Sequence, residues 1–239
     1  MFYYLVEPSL TWNLVLIAAA VIPAVFLMVK VYQSDRLEKE SRQLMWQLVK
    51  AGILSSLLAM VAERILSYVL DETVAQSSAA YDVLLYFIVV AVSEECCKYL
   101  MLKRNTWRSP EFNCMFDGVV YAVFVSLGFG LWENISYVLT YGLSTAIVRA
   151  VTAIPGHACF GVFMGVFYAI SKKYEVEGMA SDSRTYRVLS VLVPVLLHGA
   201  YDYIASTYTS GWYFVIFVAA LFVVSFRLVS QKSKTDRYI

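Results

Sequence analysis

Two adjacent carboxylates and a lysine, Glu94-Glu95-x-x-Lys98, interrupt an otherwise apolar run of the chain. Desolvating such groups at membrane depth costs roughly 2.5 to 3.5 kcal/mol per charge, so they must be paired, neutralised or turned to water. Lys98 follows Glu94 by four residues, on the same helix face, where it can hold one carboxylate ionised while the other carries a proton. The chain has only two histidines, His157 and His198, and both fall in other apolar runs. His198 and Asp202 are four apart, a spacing that lets a carboxylate orient an imidazole or lets the two ligate one ion. Glu133-Asn134 adds a carboxylate and an amide to a further apolar run. Groups of these types support acid-base activation of a water, a metal site, or a relay that passes protons through a transporter or channel. A network built only to hold helices together would not place two carboxylates side by side, where they repel.

The elements that must bring these residues together are membrane spans. Of 239 residues 60 % are hydrophobic and 15 % charged, with a mean hydropathy of +0.64. That is the composition of an all-α polytopic helix bundle in a lipid bilayer, not of a soluble domain. The net charge of +1 and the lack of any base-reading motif exclude nucleic acid as a partner. Seven runs are long enough to cross a hydrocarbon core of ~30 Å: Thr11 to Tyr32, Trp46 to Leu70, Ala80 to Leu102, Phe116 to Tyr141, Thr145 to Ser171, Val188 to Ser206 and Trp212 to Val229. If the third run ended at Ser93 it would be too short to span, so Glu94 and Glu95 belong inside the membrane zone. Residues 1–239 then form one integral-membrane domain, with the chemistry-bearing core at about 80–206.

The connections after spans one, three and five hold Arg36, Lys39, Arg42, Lys103, Arg104, Arg108, Lys172, Lys173, Arg184 and Arg187, and the tail holds Arg227, Lys232, Lys234 and Arg237. The first residues and the connections after spans two, four and six hold no Lys or Arg. The positive-inside rule therefore expects an N-terminus outside and a C-terminus in the cytoplasm. Residues up to Thr11 lack the basic n-region and cleavage site of a signal peptide. Lys172 to Arg187 is expected as the longest polar loop. Tyr3, Tyr4, Trp12, Trp107, Tyr208, Trp212 and Tyr213 are expected in interfacial belts. Glu63-Arg64 is expected to find structural partners, Asp117 to cap its helix, and the four cysteines to serve as packing residues. Spans one and seven carry almost no polar residue and are expected to face lipid. Gly118, Gly128 and Gly130 allow close approach of another helix, and Pro155 and Pro194 free carbonyls ahead of each histidine, which a watered cavity would satisfy. At ~1.5 Å per residue, Glu94, Glu95, Glu133, His157 and His198 fall at similar depths, roughly 12 to 20 Å below the outer surface.

The residues that carry this pattern resemble the PrsW-type intramembrane proteases. The likeness rests on Glu94-Glu95-x-x-Lys98, on Phe116-Asp117-Gly118-Val119-Val120-Tyr121 with Leu127-Gly128-Phe129 and Glu133-Asn134-Ile135, on Arg149-Ala150 followed by Pro155 and His157, and on Leu197-His198-Gly199-x-Tyr201-Asp202. It covers about Ala80 to Ser206, and departs at Ala122, where a glycine is expected. A more distant likeness is to the CAAX-prenyl proteases, whose later His-x-x-x-Asn differs here at Asp202. The resemblance implies an intramembrane endopeptidase of the bacterial cytoplasmic membrane. Its implied substrate is a single-pass anti-sigma factor, cut near its extracytoplasmic side to start regulated proteolysis in a stress response. On this reading Glu94 or Glu95 takes a proton from a water held with His157, while His198, oriented by Asp202, and Asn134 stabilise the oxyanion, with Lys98 and Glu133 in support. A Zn2+ version would use His157, His198 and Glu95 as ligands. The lack of a His-Glu-x-x-His helix favours the version without a cofactor. A proton-coupled transporter or channel remains the alternative, though the inverted repeats of many transporters are not visible.

Overall fold

The computed structural model describes the backbone of residues 3–207 and 211–239, and side chains from residue 10 onward within them. It is 85 % helical, with no strand among the described residues. The helices are α1 (Tyr3–Ser34), α2 (Arg42–Thr73), α3 (Tyr81–Val83), a π-helical stretch π1 (Leu84–Val92), α4 (Ser93–Thr106), α5 (Asp117–Tyr141), α6 (Leu143–Val151), α7 (Ala153–Val176), α8 (Ala180–Thr207) and α9 (Gly211–Lys234). α3, π1 and α4 run on as one rod, and α6 and α7 together make up a further passage, so the seven expected passages are present. Six are long and apolar enough to cross a membrane; the third, residues 81–106, has the length but carries the charged cluster.

Helix α5 is the axis of the bundle, packed by α7, α2, α1 and α4. Every residue from Asp117 to Gly130 is buried, as expected of a helix covered on all faces. Small residues make this possible. A Cβ on Gly128 would lie 2.5 Å from the Val49 carbonyl oxygen of α2, and one on Gly52 would collide with Val125 of α5. The crossing with α7 is as close, where Gly118 and Gly165 face each other. At Ala122, the departure from the family pattern, the small residue sits across the interface instead: a Cβ on Gly161 would lie 3.0 Å from the Ala122 oxygen. α1 is less bland than its composition suggests, because Leu16, Ala20, Ala24, Met28 and Val31 are buried as a stripe at helical spacing. The stripe faces α5, so only the rest of α1 is left to lipid. Beside it, α1, α2 and α5 enclose an apolar groove of about 410 Å³.

Several local expectations are corrected. The fifth passage is not one helix: it breaks at Thr152 (φ −123°, ψ −72°), three residues before Pro155. The proline thereby sits in the first turn of α7, where its missing N–H is not needed. The polar stretch Lys172 to Arg187 is almost wholly helical, because α7 continues to Val176 and α8 begins at Ala180. Gly178, at φ +78°, closes α7 with its amide on the Glu175 oxygen, the left-handed C-terminal turn that glycine permits. Asp117 does not cap α5; it is the first residue of α5, and its Oδ2 accepts from the amides of Asn113 (3.0 Å) and Cys114 (2.6 Å). Trp107 is buried within the bundle, and its indole donates to Glu175 at 2.8 Å. Trp12, Trp212 and Tyr213 are exposed, whereas Tyr208 and the side chains of Tyr3 and Tyr4 lie outside the described residues. All four cysteines are unpaired.

The basic connections and the tail gather at one end of the bundle. Arg36 donates to Ser233, Lys172 to the Trp107 carbonyl, and the tail lies along the α4–α5 connection through Met115 to Arg237 and Ile239 to Asn113 backbone hydrogen bonds. The α2–α5 crossing predicts that Gly128→Ala lowers stability by about 1 to 3 kcal/mol through overpacking. Gly211→Ala, with nothing within 4 Å, serves as a near-neutral control; unfolding in detergent followed by circular dichroism measures both.

Candidate active site

The third passage presents Ser93, Glu94, Glu95, Lys98, Tyr99 and Leu102 to the interior, a helical stripe that leaves Cys96 and Cys97 half-buried on the flank. The π-helical turns that precede it shift the angular register of the rod. Lys98 is fully buried, and its ammonium donates to Glu94 Oε2 at 3.0 Å and to Glu95 Oε1 at 2.7 Å. It stands 4.0 Å from the centre of the Phe129 ring and 3.3 Å from His157 Nδ1. An ammonium can only donate, so Nδ1 of His157 accepts and its proton is on Nε2. Nε2 duly meets Glu133 Oε2 at 2.8 Å. The close seating of His157 against α5 depends on Gly130, where a Cβ would lie 2.7 Å from the imidazole Cδ2.

His198 comes in from α8. Its Nδ1 is 2.8 Å from Glu95 Oε1 and 3.8 Å from Glu94 Oε2, and its Nε2 is 3.3 Å from Asp202 Oδ2. Its ring stacks on Phe160, with centroids 4.8 Å apart. A polar cavity of about 290 Å³ opens beside these groups, walled by Glu94, Glu133, His157, His198 and Asp202 together with Glu63, Arg149 and Tyr201. Glu94 reaches this cavity. Glu95 does not: it has no exposed surface, and its Oε2 is buried with no hydrogen-bond partner.

Of the residues singled out from the sequence, Glu94, Glu95, Lys98, Glu133, His157, His198 and Asp202 thus meet in one place. Asn134 is placed differently. It is fully buried away from the cavity wall, donating from Nδ2 to the Ala20 carbonyl of α1 (2.8 Å) and accepting from Arg149 Nε (2.9 Å). Its amide is therefore spent on joining α1, α5 and α6. Arg149 also pairs with Glu133 at 2.9 Å. Two wall residues, Arg149 and Glu63, had no place among the expected site groups. The signal for both was the same as for Glu94, an ionisable side chain inside an apolar span.

Residues 40–229 match a family described as PrsW family intramembrane metalloprotease. The chain belongs to the PrsW family. Among its relatives are Protease PrsW of Geobacillus kaustophilus, 34 % identical over 90 % of this chain and 91 % of the relative, and that of Halalkalibacterium halodurans, 30 % identical over 93 % and 99 %. Protease PrsW of Bacillus subtilis is 29 % identical over 94 % of this chain and 96 % of its own length. No solved structure matches the chain. PrsW membership makes this chain an intramembrane peptide hydrolase and decides between the enzyme and the transporter that the residues alone left open.

The family description names a metal, and the residues fit one. Glu94, Glu95 and His198 each offer a ligand atom, all within 4.8 Å of one another. Five carboxylates (Glu63, Glu94, Glu95, Glu133, Asp202) and two permanent cations (Lys98, Arg149) lie at this site, leaving negative charge for a cation to offset. In the structure Nδ1 of His198 donates to Glu95 Oε1 and Nε2 to Asp202; were Nδ1 to give up its proton, its lone pair would face the glutamates while Asp202 orients the ring, the arrangement in which a carboxylate holds a metal-bound histidine. His157 is not in that grouping, being held by Glu133 and Lys98. The placement of Asn134 predicts that Asn134→Ala costs about 1 to 3 kcal/mol of stability, while cleavage per folded molecule falls by less than about tenfold. A loss near the 10²–10³ expected for an oxyanion donor in an assay normalised to folded protein would contradict this.

Proposed function

We propose that the protein cuts a single-pass regulatory protein of the anti-sigma-factor type in the bacterial cytoplasmic membrane, near its extracytoplasmic side, and so starts regulated proteolysis in a stress response. In this reading its N-terminus is outside and its C-terminus cytoplasmic, which agrees with the basic connections and the tail sharing one end of the bundle. The observation that carries the mechanism is the asymmetry of the glutamate pair. Glu94 lines the cavity and Glu95 is sealed behind it.

Glu94 therefore orients a cavity water and takes its proton as the oxygen attacks the scissile carbonyl carbon, then returns that proton to the leaving amine. Glu95 serves from behind, holding Lys98 and the Nδ1 side of His198. His157, kept as the Nε2–H tautomer by Lys98 and Glu133, shapes the wall where the water sits. The guanidinium of Arg149 is the donor on the wall for the oxyanion, and His198, whose two ring nitrogens are held by Glu95 and Asp202, stabilises it through the positive charge of the doubly protonated ring. A divalent metal would be held by Glu95 and His198 with Glu94 beside them, and when bound supplies Lewis-acid polarisation of the carbonyl and a more acidic water. The substrate helix must unwind to present a peptide bond, and unwound backbone is tolerated at membrane depth only against protein or water. A polar cavity inside apolar helices meets that requirement.

The test is reconstitution in vesicles with a single-span anti-sigma-type substrate. Glu94→Gln is expected to lower cleavage by about 10²–10⁴-fold, the usual worth of a general base. Glu95→Gln and His157→Ala are expected to lower it too, by way of Lys98 and the cavity wall. Undiminished cleavage in all three would overturn the mechanism. Stripping metal to sub-stoichiometric levels separates the two routes: retained cleavage assigns the water to Glu94 alone, and loss restored by Zn2+ assigns the polarising role to an ion.

A further inference from the structure

A second group of buried acids lies at the basic end of the bundle, about 24 Å along α5 from Glu133. Asp35 follows the end of α1, Glu40 precedes the Ser41 cap of α2, and Asp117 is the first residue of α5. They are 2 %, 6 % and 1 % exposed. Each offers one carboxylate oxygen, and the three oxygens lie within 4.8 Å of one another. Both oxygens of Asp35 and Oδ1 of Asp117 are buried without a hydrogen-bond partner. Whichever oxygen Asp35 turns into the group is therefore uncommitted. The basic side chains close by are engaged elsewhere: Lys39 donates to the main-chain oxygens of Tyr32 and Asp35, and Arg36 to Ser233. Among the described residues none of the three acids forms an ion pair.

Three buried carboxylates from two segments, the α1–α2 connection and the start of α5, with no cationic side chain between them, are costly unless a cation or protons offset the charge. We propose that Asp35, Glu40 and Asp117 form a cation site, distinct from the catalytic cluster, that takes a hard divalent ion of the Ca2+ or Mg2+ class. The ligand set is all oxygen, with neither imidazole nor thiolate, which selects hard ions over zinc. Oxygens sharing a Ca2+ or Mg2+ ion at 2.0 to 2.6 Å lie no more than about 5 Å apart, and these three are within 4.8 Å of one another. An ion there would clamp the α1–α2 connection to the start of α5, the helix whose other end carries Glu133.

Mn2+ titration followed by electron paramagnetic resonance tests this on the full chain in lipid nanodiscs. The background Glu95→Gln with His198→Ala silences the intramembrane cluster. One Mn2+ equivalent is expected to bind, to be displaced by Ca2+ or Mg2+, and to bind at least about tenfold more weakly in Asp35→Asn or Glu40→Gln, since affinity at such sites follows ligand charge. The Asp35 carboxylate makes no hydrogen bond, so Asp35→Asn removes none. The same titration without the background changes should show Asp35→Asn deleting one class of site and sparing the other. Absence of Mn2+ binding by the folded background protein, as expected if protons alone neutralise the acids, or unchanged binding in Asp35→Asn, would overturn the proposal.

Discussion

A single ammonium group holds the interior of this protein together. Lys98 has no exposed surface, and it donates to both glutamates of the pair. Two neighbouring carboxylates could not both be ionised inside an apolar bundle without such a charge between them. The same ammonium faces Nδ1 of His157 and thereby dictates which nitrogen of that ring carries the proton. From there the order passes outward by contact: His157 to Glu133, Glu133 to Arg149, Arg149 to Asn134, and Asn134 to the backbone of α1. Residues on α4, α5, α6, α7 and α1 are fixed by a chain of hydrogen bonds that begins at one lysine. A buried pair of this kind adds little net stability over apolar packing, but removing one partner leaves a charge with nowhere to go.

Such a cluster needs a rigid frame, and α5 supplies it. Its glycines and their counterparts on α2 and α7 bring backbones nearly into contact, which in a membrane, where apolar burial gives helices no preference for one another over lipid, is a main source of association. The frame also sets the asymmetry of the site. Glu94 meets the cavity from the edge of the buried stripe, while its neighbour, one residue further around the helix, is enclosed. One carboxylate is thus placed for work on water and the other for holding Lys98 and His198.

The number of passages and the set of residues that converge were legible in the sequence, because both follow from strong constraints. An apolar run must be long enough to cross, and a charge within it must find a partner or water. That reasoning brought Glu94, Glu95, Lys98, Glu133, His157, His198 and Asp202 to one site. It did not reach features decided by direction or by local backbone. Asn134 adjoins Glu133 in sequence but points about 100° away around the helix, toward α1, and only the position of α1 reveals that. Glu63 lies far from the motifs and joins the cavity through the packing of α2. The break at Thr152 and the early start of α8 depend on end effects of helices, where Pro155 and Gly178 act over a few residues and hydropathy over a long window cannot resolve them. The docking of the tail on the α4–α5 connection rests on backbone hydrogen bonds, which leave no side-chain pattern to read.

The claim that Lys98 neutralises the glutamate pair is tested most directly by a thermodynamic cycle on unfolding in a mild detergent, using Lys98→Met, Glu95→Gln and the double variant. If the account is right, Lys98→Met alone costs about 3 to 5 kcal/mol, as breaking a buried ion pair does, and adding Glu95→Gln recovers a substantial part of that loss, because one of the stranded carboxylates is gone. Strict additivity of the two changes, or a Lys98→Met protein as stable as the wild type, would contradict it.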